Sequence, residues 1–379
     1  MKCKYILVLS LLCVATSAAA QDLDAVWGQA KGYLKGLSLR KKDLDPAYAL
    51  QPELKWNVTL EGTGIRMGAD LHSDIKITDL SEENPQIINA TLETGMKKRL
   101  YKKMGGGLSY GGLGFSLGFE VGKLSPKRNT YFNFGTTGSF YGARIQYYKT
   151  HEYVEGTLDM DQDGFVPMTL SSVNPCQVRD LTIDGFYAFN RRQFVYTATY
   201  VGRIIQRRSV GSWMVAAKYL QGDFSLDKNE GVLTSLLNGL NRYSTMQTLV
   251  GGGYSYNWVL LHRDPRDSYS WKGLQNLTFN ITAVPMISLI NDVRTEQEIG
   301  RTVKRTQHPG QVAFSPTVRA GLVYAWDRYY VTVQAAYNRF GFHGADTLSE
   351  SDDGIIRAKV STRGIFYDLT AKVQLNMRF

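Results

Sequence analysis

A chain of 379 residues with 12% aromatics, 37 glycines and only 10 prolines is long enough for one large fold. Past its first twenty residues it has no run of the about 18 apolar residues that a membrane-spanning helix needs. That excludes a helical membrane protein, and the slightly negative mean hydropathy agrees, whereas a barrel whose alternate strand residues face water fits both. The net charge of +10 asks for an anionic partner. Because the N-terminus carries an export signal, nucleic acid is set aside in favour of lipid headgroups and lipopolysaccharide phosphates.

The first segment has Lys2 and Lys4, an apolar stretch from Tyr5 to Val14, and Ala18-Ala19-Ala20 before Gln21. A positive start, an apolar middle and an A-x-A site predict a secretory signal over residues 1–20. Leu12 stands before Cys13, where a lipidation signal needs a small residue. Cys3 and Cys13 depart with the signal, which leaves Cys176 with no partner for an internal disulfide. Residues 21–52 are expected to form a periplasmic amphipathic helix and linker: Leu23, Val26, Trp27, Ala30, Leu34 and Leu37 fall at helical spacing, followed by Arg40, Lys41 and Lys42. That basic run suits either a leaflet or partner contact, or a solvated linker.

From residue 53 to 379 the chain alternates. Lys55 to Arg66 and Gln86 to Met96 are expected strands, with Gly68 to Pro85 a polar loop between them. Leu108 to Tyr110 and Phe115 to Val121 flank a glycine turn. Thr130 to Gly135 and Phe140 to Glu152 follow, and Val154 to Arg179 reads as a long irregular loop. Asp180 to Phe189, Phe194 to Arg203 and Ser212 to Phe224 come next, the first two joined by Asn190 to Gln193, and Gly231 to Arg242 reads as another loop. In the last third, Thr248 to Trp258, Leu277 to Ala283, Phe314 to Trp326 and Tyr329 to Tyr337 place aromatics near the ends of their apolar faces, where two membrane interfaces would lie. Ser288 to Gln311 and His343 to Gly354 read as extracellular loops, with Asp327-Arg328 a periplasmic turn.

The tail from Leu369 to Phe379 has strict period two: Leu369, Ala371, Val373, Leu375, Met377 and Phe379 are apolar, and the five positions between them are polar. It resembles the closing strand and assembly signal of bacterial outer-membrane β-barrels, with Leu375, Met377 and Phe379 as the signal. The expected fold is therefore an all-β transmembrane antiparallel barrel. Counted as thirteen, the candidate strands conflict with the even number a closed bacterial barrel requires, so something in that count is wrong. About twelve is the expectation, with ten and fourteen as the neighbouring even numbers, and the parity clashes with Asn190 to Gln193 being periplasmic.

The presumed lumen positions include Glu120, Arg144, Lys218, Arg319 and Lys372, together with Gln146, Asn280, Gln334, Asn338 and Arg378. Mixed charges in a lumen of this width either pair across it or line a water path. Asp159, Asp161 and Asp163 before Gly164 have the alternate carboxylates of a calcium loop, although Leu170 stands where the bidentate Glu belongs, so calcium is the only cofactor suggested. Lipid hydrolysis would need a serine beside a histidine. Of the five histidines, His151 and His343 lie at strand ends next to loops, and none shows such spacing to a serine.

The stretches Tyr187 to Tyr200 with Gln206 to Trp213, Gly107 to Gly114 and Gly252 to Tyr256, along with the terminal strand, resemble a barrel family of Bacteroides-type bacteria, domain of unknown function 4421. The resemblance implies an outer-membrane location and no established activity. The expected protein is a non-enzymatic outer-membrane barrel with extracellular loops, acting as a narrow pore or a surface or assembly component. Its expected partners are outer-membrane lipid, lipopolysaccharide and the barrel-assembly machinery. The alternatives are a lipid-acting hydrolase at the outer rim and a soluble secreted β-protein that binds a partner.

Overall fold

The computed structural model describes residues 44–50, 56–81, 85–96, 100–110, 113–122, 129–137, 140–162, 165–202, 204–227, 233–234, 237, 239–265, 271–299, 302–309, 312–350 and 355–379. The expected signal segment and all but residues 44–50 of the expected helix and linker fall outside them. In chain order the first strands are β1 (Ala49–Leu50), β2 (Trp56–Asp79), β3 (Gln86–Met96), β4 (Leu100–Tyr110), β5 (Leu113–Glu120), β6 (Thr130–Thr137) and β7 (Tyr141–Glu152). Then come β8 (Val154–Met160), β9 (Met168–Ser171), β10 (Cys176–Ala188), a single helical turn α1 (Thr197–Tyr200), β11 (Ile205–Gln206) and β12 (Val210–Ser225). The last are β13 (Leu240–Arg263), β14 (Gln275–Val284), β15 (Met286–Ile299), β16 (Thr302–Pro309), β17 (Thr317–Trp326), β18 (Tyr329–Glu350) and β19 (Ile356–Arg378).

Twelve of these strands close an antiparallel ring in the order β2, β4, β5, β6, β7, β10, β12, β13, β14, β17, β18, β19 and back to β2. The closing seam pairs β19 with β2 from Arg378 opposite Asn57 to Ile356 opposite Asp79. A closed ring satisfies every ladder position from within the sheet, which an open edge cannot do in lipid. The start of β2 and the end of β19 meet at one rim, where Phe379 N donates to Trp56 O at 3.0 Å. The tight turn between β17 and β18 lies at this same termini end. Its Asp327 has φ 48°, the left-handed conformation that a two-residue hairpin turn demands.

The segments named as strands in the sequence, with the tail, number fourteen, and two of them stand outside the ring of twelve. Gln86 to Met96 forms a strand, but β3 pairs with the upper part of β2 and with β8, beside the ring. Of Phe194 to Arg203, expected to be a strand, the described residues, 194–202, are instead part of an insert that carries α1 into the barrel. With both removed, Asn190 to Gln193 and Asp327-Arg328 lie at the same end and the parity clash disappears.

Several expected loops are strands. β2 continues through Gly68 to Asp79, Val154 to Arg179 holds β8, β9 and the start of β10, Ser288 to Gln311 holds most of the β15–β16 hairpin, and β18 runs on to Glu350. The reason is an inversion of polarity along single strands. Near the termini end β19 points Leu375, Val373 and Leu369 outward, each about half exposed, with Gln374 and Lys372 inward. Toward the far end it buries Phe366 and Val360 inward and points Arg363, Lys359 and Arg357 outward. β2 does the same: Val58 and Leu60 are outward beside inward Asn57 and Glu61, and further along Leu71 and Ile75 are inward beside exposed Asp74 and Lys76. The backbone phase is unbroken, but the greasy face changes sides. A strand in lipid must turn its apolar face out, whereas a strand in water must turn it in.

The interior is consequently layered. The far end holds an apolar core that includes Leu92, Leu158, Leu220, Phe224, Leu240, Leu249 and Phe366, with Phe340 and Phe366 stacked 5.0 Å apart. The termini half is polar.

Candidate functional site

The residues from Phe189 to Ser209, between β10 and β12, enter the termini half of the barrel as a plug. Phe194, Val195, Thr199 and Gln206 have no exposed surface, and the plug's backbone carbonyls and amides, which lie off the ladder, are met by side chains from the wall. Gln206 is the hub. Its amide nitrogen donates to the carbonyls of Tyr48 and Gln193 at 2.9 and 2.8 Å, and its side-chain oxygen accepts from Val195 N at 3.0 Å and from Asn257 at 3.1 Å. Asn257 also donates to Val195 O and Asn276 to Gln206 O, both at 2.9 Å. Gln334 donates to Tyr200 O, and the Tyr200 hydroxyl donates to Asn280 Oδ1, both at 2.7 Å.

Gly202 ends the helical turn with φ +61°, and a Cβ there would fall 2.3 Å from the Tyr330 ring, so this position requires glycine. Its carbonyl accepts from Arg378, the last inward residue of β19. The Arg378 guanidinium lies 4.6 and 4.5 Å from the ring centroids of Trp271 and Tyr330, a cation–π pair on a buried residue. The closing strand therefore both seals the ring and holds the plug.

A strap from Leu44 to Leu50 crosses the plug's base, with β1 pairing β11 and Arg207 N donating to Tyr48 O at 2.7 Å. Arg207 also binds Asp264, which accepts from His262 at 3.0 Å. Partial burial works against ionisation of Asp264, but the hydrogen bonds from Arg207 and His262 prevail and hold its carboxyl below the usual range.

Above the plug lies a charged layer. Asp184 of β10 accepts from Arg144 of β7 and, at 3.1 Å, from Arg319 of β17. Arg319 also donates to the Tyr196 hydroxyl of the plug at 3.2 Å. Lys218 donates to Thr317 and Asn338 at 2.7 and 2.9 Å, and Asn338 donates to both oxygens of Asp368. Lys372 pairs with Glu61 across the seam at 2.8 Å. Of the lumen residues singled out in the sequence, Arg144, Lys218, Arg319 and Lys372 sit in this layer, the two arginines sharing Asp184, Lys372 paired with Glu61 and Lys218 donating to neutral oxygens. Glu120 sits apart, opposite Lys103 near the far end of β5.

Asp184 and Glu61, the counter-charges, were not singled out, although the signal was there: each occupies the polar phase of an alternating strand. Gln146, Asn280, Gln334, Asn338 and Arg378 also face inward. The plug was missed because Phe194 to Val201 carries no charged or amide side chain and looks strand-like. A lipid-facing strand would show one wet face, whereas this segment is buried on all sides.

Of the aspartates suggested for calcium, Asp159 lies in β8 and Asp161 just after it. Asp161 N donates to Asn89 O at 2.9 Å, which ties this position to β3. Asp163 is outside the described residues, and among those described no group of three or more metal-binding side chains converges. His151 is buried, its backbone N donating to Asn129 at 3.1 Å, and the side chain of His343 is outside the described residues. Leu375 and Phe379 are about half exposed on the outer wall and Met377 is partly covered there.

The plug lies against β13, β14, β17 and β18, so it fills the barrel off-centre. The opposite wall, β4 to β6, presents Gly107, Ser116, Asn133 and Gly135 inward, and this near-bare surface leaves a cavity of about 240 Å³ between wall and plug. The cavity extends from Arg144 and Asp184 down to Asn57 and Ser109, the inward positions of β2 and β4 nearest the termini rim.

Among solved structures, the outer membrane protease OmpT of Escherichia coli aligns over 87% of this chain and 98% of its own, with 11% identity and a TM-score of 0.40. OmpT of Vibrio cholerae, an outer membrane protein, aligns over 83% and 98% with 7% identity and a TM-score of 0.19. A FadL homologue of Pseudomonas aeruginosa aligns over 84% and 90% with 11% identity and a TM-score of 0.21. No curated protein matches the chain. The model described as Domain of unknown function (DUF4421) matches residues 71–360, most of the ring and its far-end extensions, and the chain belongs to that family.

Proposed function

We propose that the chain is an integral outer-membrane β-barrel, stoppered from the periplasmic side, that acts as a surface or assembly component and not as an open pore. The plug carries this reading: side chains of three wall strands, β13, β14 and β18, and of the closing strand hold its backbone. The polarity inversion supports the membrane placement. From Leu369 to Phe379 the outward apolar positions of β19 cover about 33 Å along the strand, or about 25 Å of height at a tilt of about 40°, close to the apolar band of outer-membrane barrels. The termini end is then periplasmic and the far end, with its own apolar core, stands in water outside the cell.

In this reading the outer wall meets lipid and lipopolysaccharide, and Leu375, Met377 and Phe379 are offered to the assembly machinery. Fractionation combined with gel migration of unboiled samples tests it. The protein should be found in the outer-membrane fraction and shift on boiling. A soluble protein with no shift would refute the membrane placement.

A further inference from the structure

We infer that the cavity between plug and bare wall is a binding site, entered from the termini end, for a neutral polyhydroxylated small molecule of about one ring, such as a monosaccharide or a cyclitol. The inference rests on the plugged reading of the lumen. Three residues that line it each hold a buried polar atom with no hydrogen-bond partner among the described residues: Asn57 Oδ1, Asn133 Oδ1 and Arg319 Nε. Asn57 is only 5% exposed, and a buried polar atom left unpaired is costly, so each of these is a place for a partner the protein does not itself supply. Two acceptors and one donor ask for a molecule that both gives and takes hydrogen bonds, which is what vicinal hydroxyls do.

The charges argue against an ion. Arg144 and Arg319 share Asp184, and Lys372 is answered by Glu61 at 2.8 Å. An anionic ligand would compete with carboxylates already in place, and a cationic one would have to displace guanidinium or ammonium groups. The plug adds an aromatic side: Tyr196 and Tyr200 stack at 4.7 Å, and Phe186 lies 4.2 Å from Tyr196. Such rings suit the C–H face of a sugar while hydroxyls and amides hold its edge. A cavity of about 240 Å³ has room for several waters, and a six-membered polyol replaces most of them.

The test is calorimetric titration of the full chain, folded in detergent, with D-glucose, D-galactose and myo-inositol, and with inorganic phosphate as the anionic probe. Saturable binding of at least one polyol is expected, weakened at least tenfold in Asn133→Leu and in Ser116→Leu, with no binding of phosphate. The two variants act on different strands, and a retained boiling-dependent gel shift shows that each has folded. No saturable binding of any polyol would mean the cavity holds water only and would overturn the proposal, as would equal affinity in both folded variants or a preference for phosphate. Conductance of the same preparation separates the failures. A steady current would refute the plug itself, whereas a silent barrel that binds no polyol refutes only the site.

Discussion

The two halves of the barrel interior are built from the same strands and solve opposite problems. At the far end Leu220, Leu249 and Phe366 pack as in a soluble β-barrel. At the termini end the same β12, β13 and β19 point Lys218, Asn257 and Arg378 inward, and stability there depends on completed polar networks. On the proposed membrane placement, the difference teaches that the solvent outside the wall decides what fills it. Where lipid takes the apolar face, the interior is left with polar residues, and the plug is the device that satisfies them.

The sharpest way to break this contrast is to remove one counter-charge from the polar half. Asp184→Asn leaves Arg144 and Arg319 without their shared carboxylate and should cost about 3–5 kcal/mol, read by reversible urea unfolding in phospholipid. Unchanged stability would mean the charged layer is solvated and not closed. In the apolar half Leu249→Ala, at a fully buried position, should cost about 3 kcal/mol through a cavity, with no effect on the charged layer.

A second pair of variants compares two outward positions of β19 on either side of the inversion. Val373→Arg places a charge among lipid-facing residues and should cost about 2–4 kcal/mol in a bilayer, less toward the interface. Lys359→Leu, outside the lipid, should stay within about 0.5 kcal/mol. Equal costs would remove the inversion as a marker of the membrane edge.

The smallest effect is at the plug's strap. The Asp264 carboxyl titrates below its usual range in the folded protein, so its contribution is complete above the ordinary pKa of about 3.9 and is lost as pH falls through the lower folded value. Asp264 is half exposed, which limits that contribution to under about 1 kcal/mol. The difference in stability between the native chain and Asp264→Asn should shrink as pH is lowered from 6 to 3, and a constant difference would count against the tie.

The closing strand is legible from sequence because an apolar outer face and a polar inner face alternate without a break from Leu369 to Phe379. The far end is not, because Asp70 to Asp79 keeps the period but moves its apolar residues, Leu71 and Ile75, to the inner face. A reading that follows the greasy outer face sees polar stretches there and reads loops. Arg144, Lys218, Arg319 and Lys372 are legible as inward positions one strand at a time. Their partners are not, because Asp184 and Glu61 reach them from other strands whose registers the sequence does not state. The insert from Phe194 to Val201 imitates a strand because burial on all sides and burial on a β-face both favour aromatic and β-branched residues.

Single-channel recording in planar bilayers tests the central claim most directly. The full chain should insert without a steady current, and a variant in which residues 194–203 are replaced by a short Gly-Ser linker should conduct. A steady current through the full chain would contradict the plugged barrel.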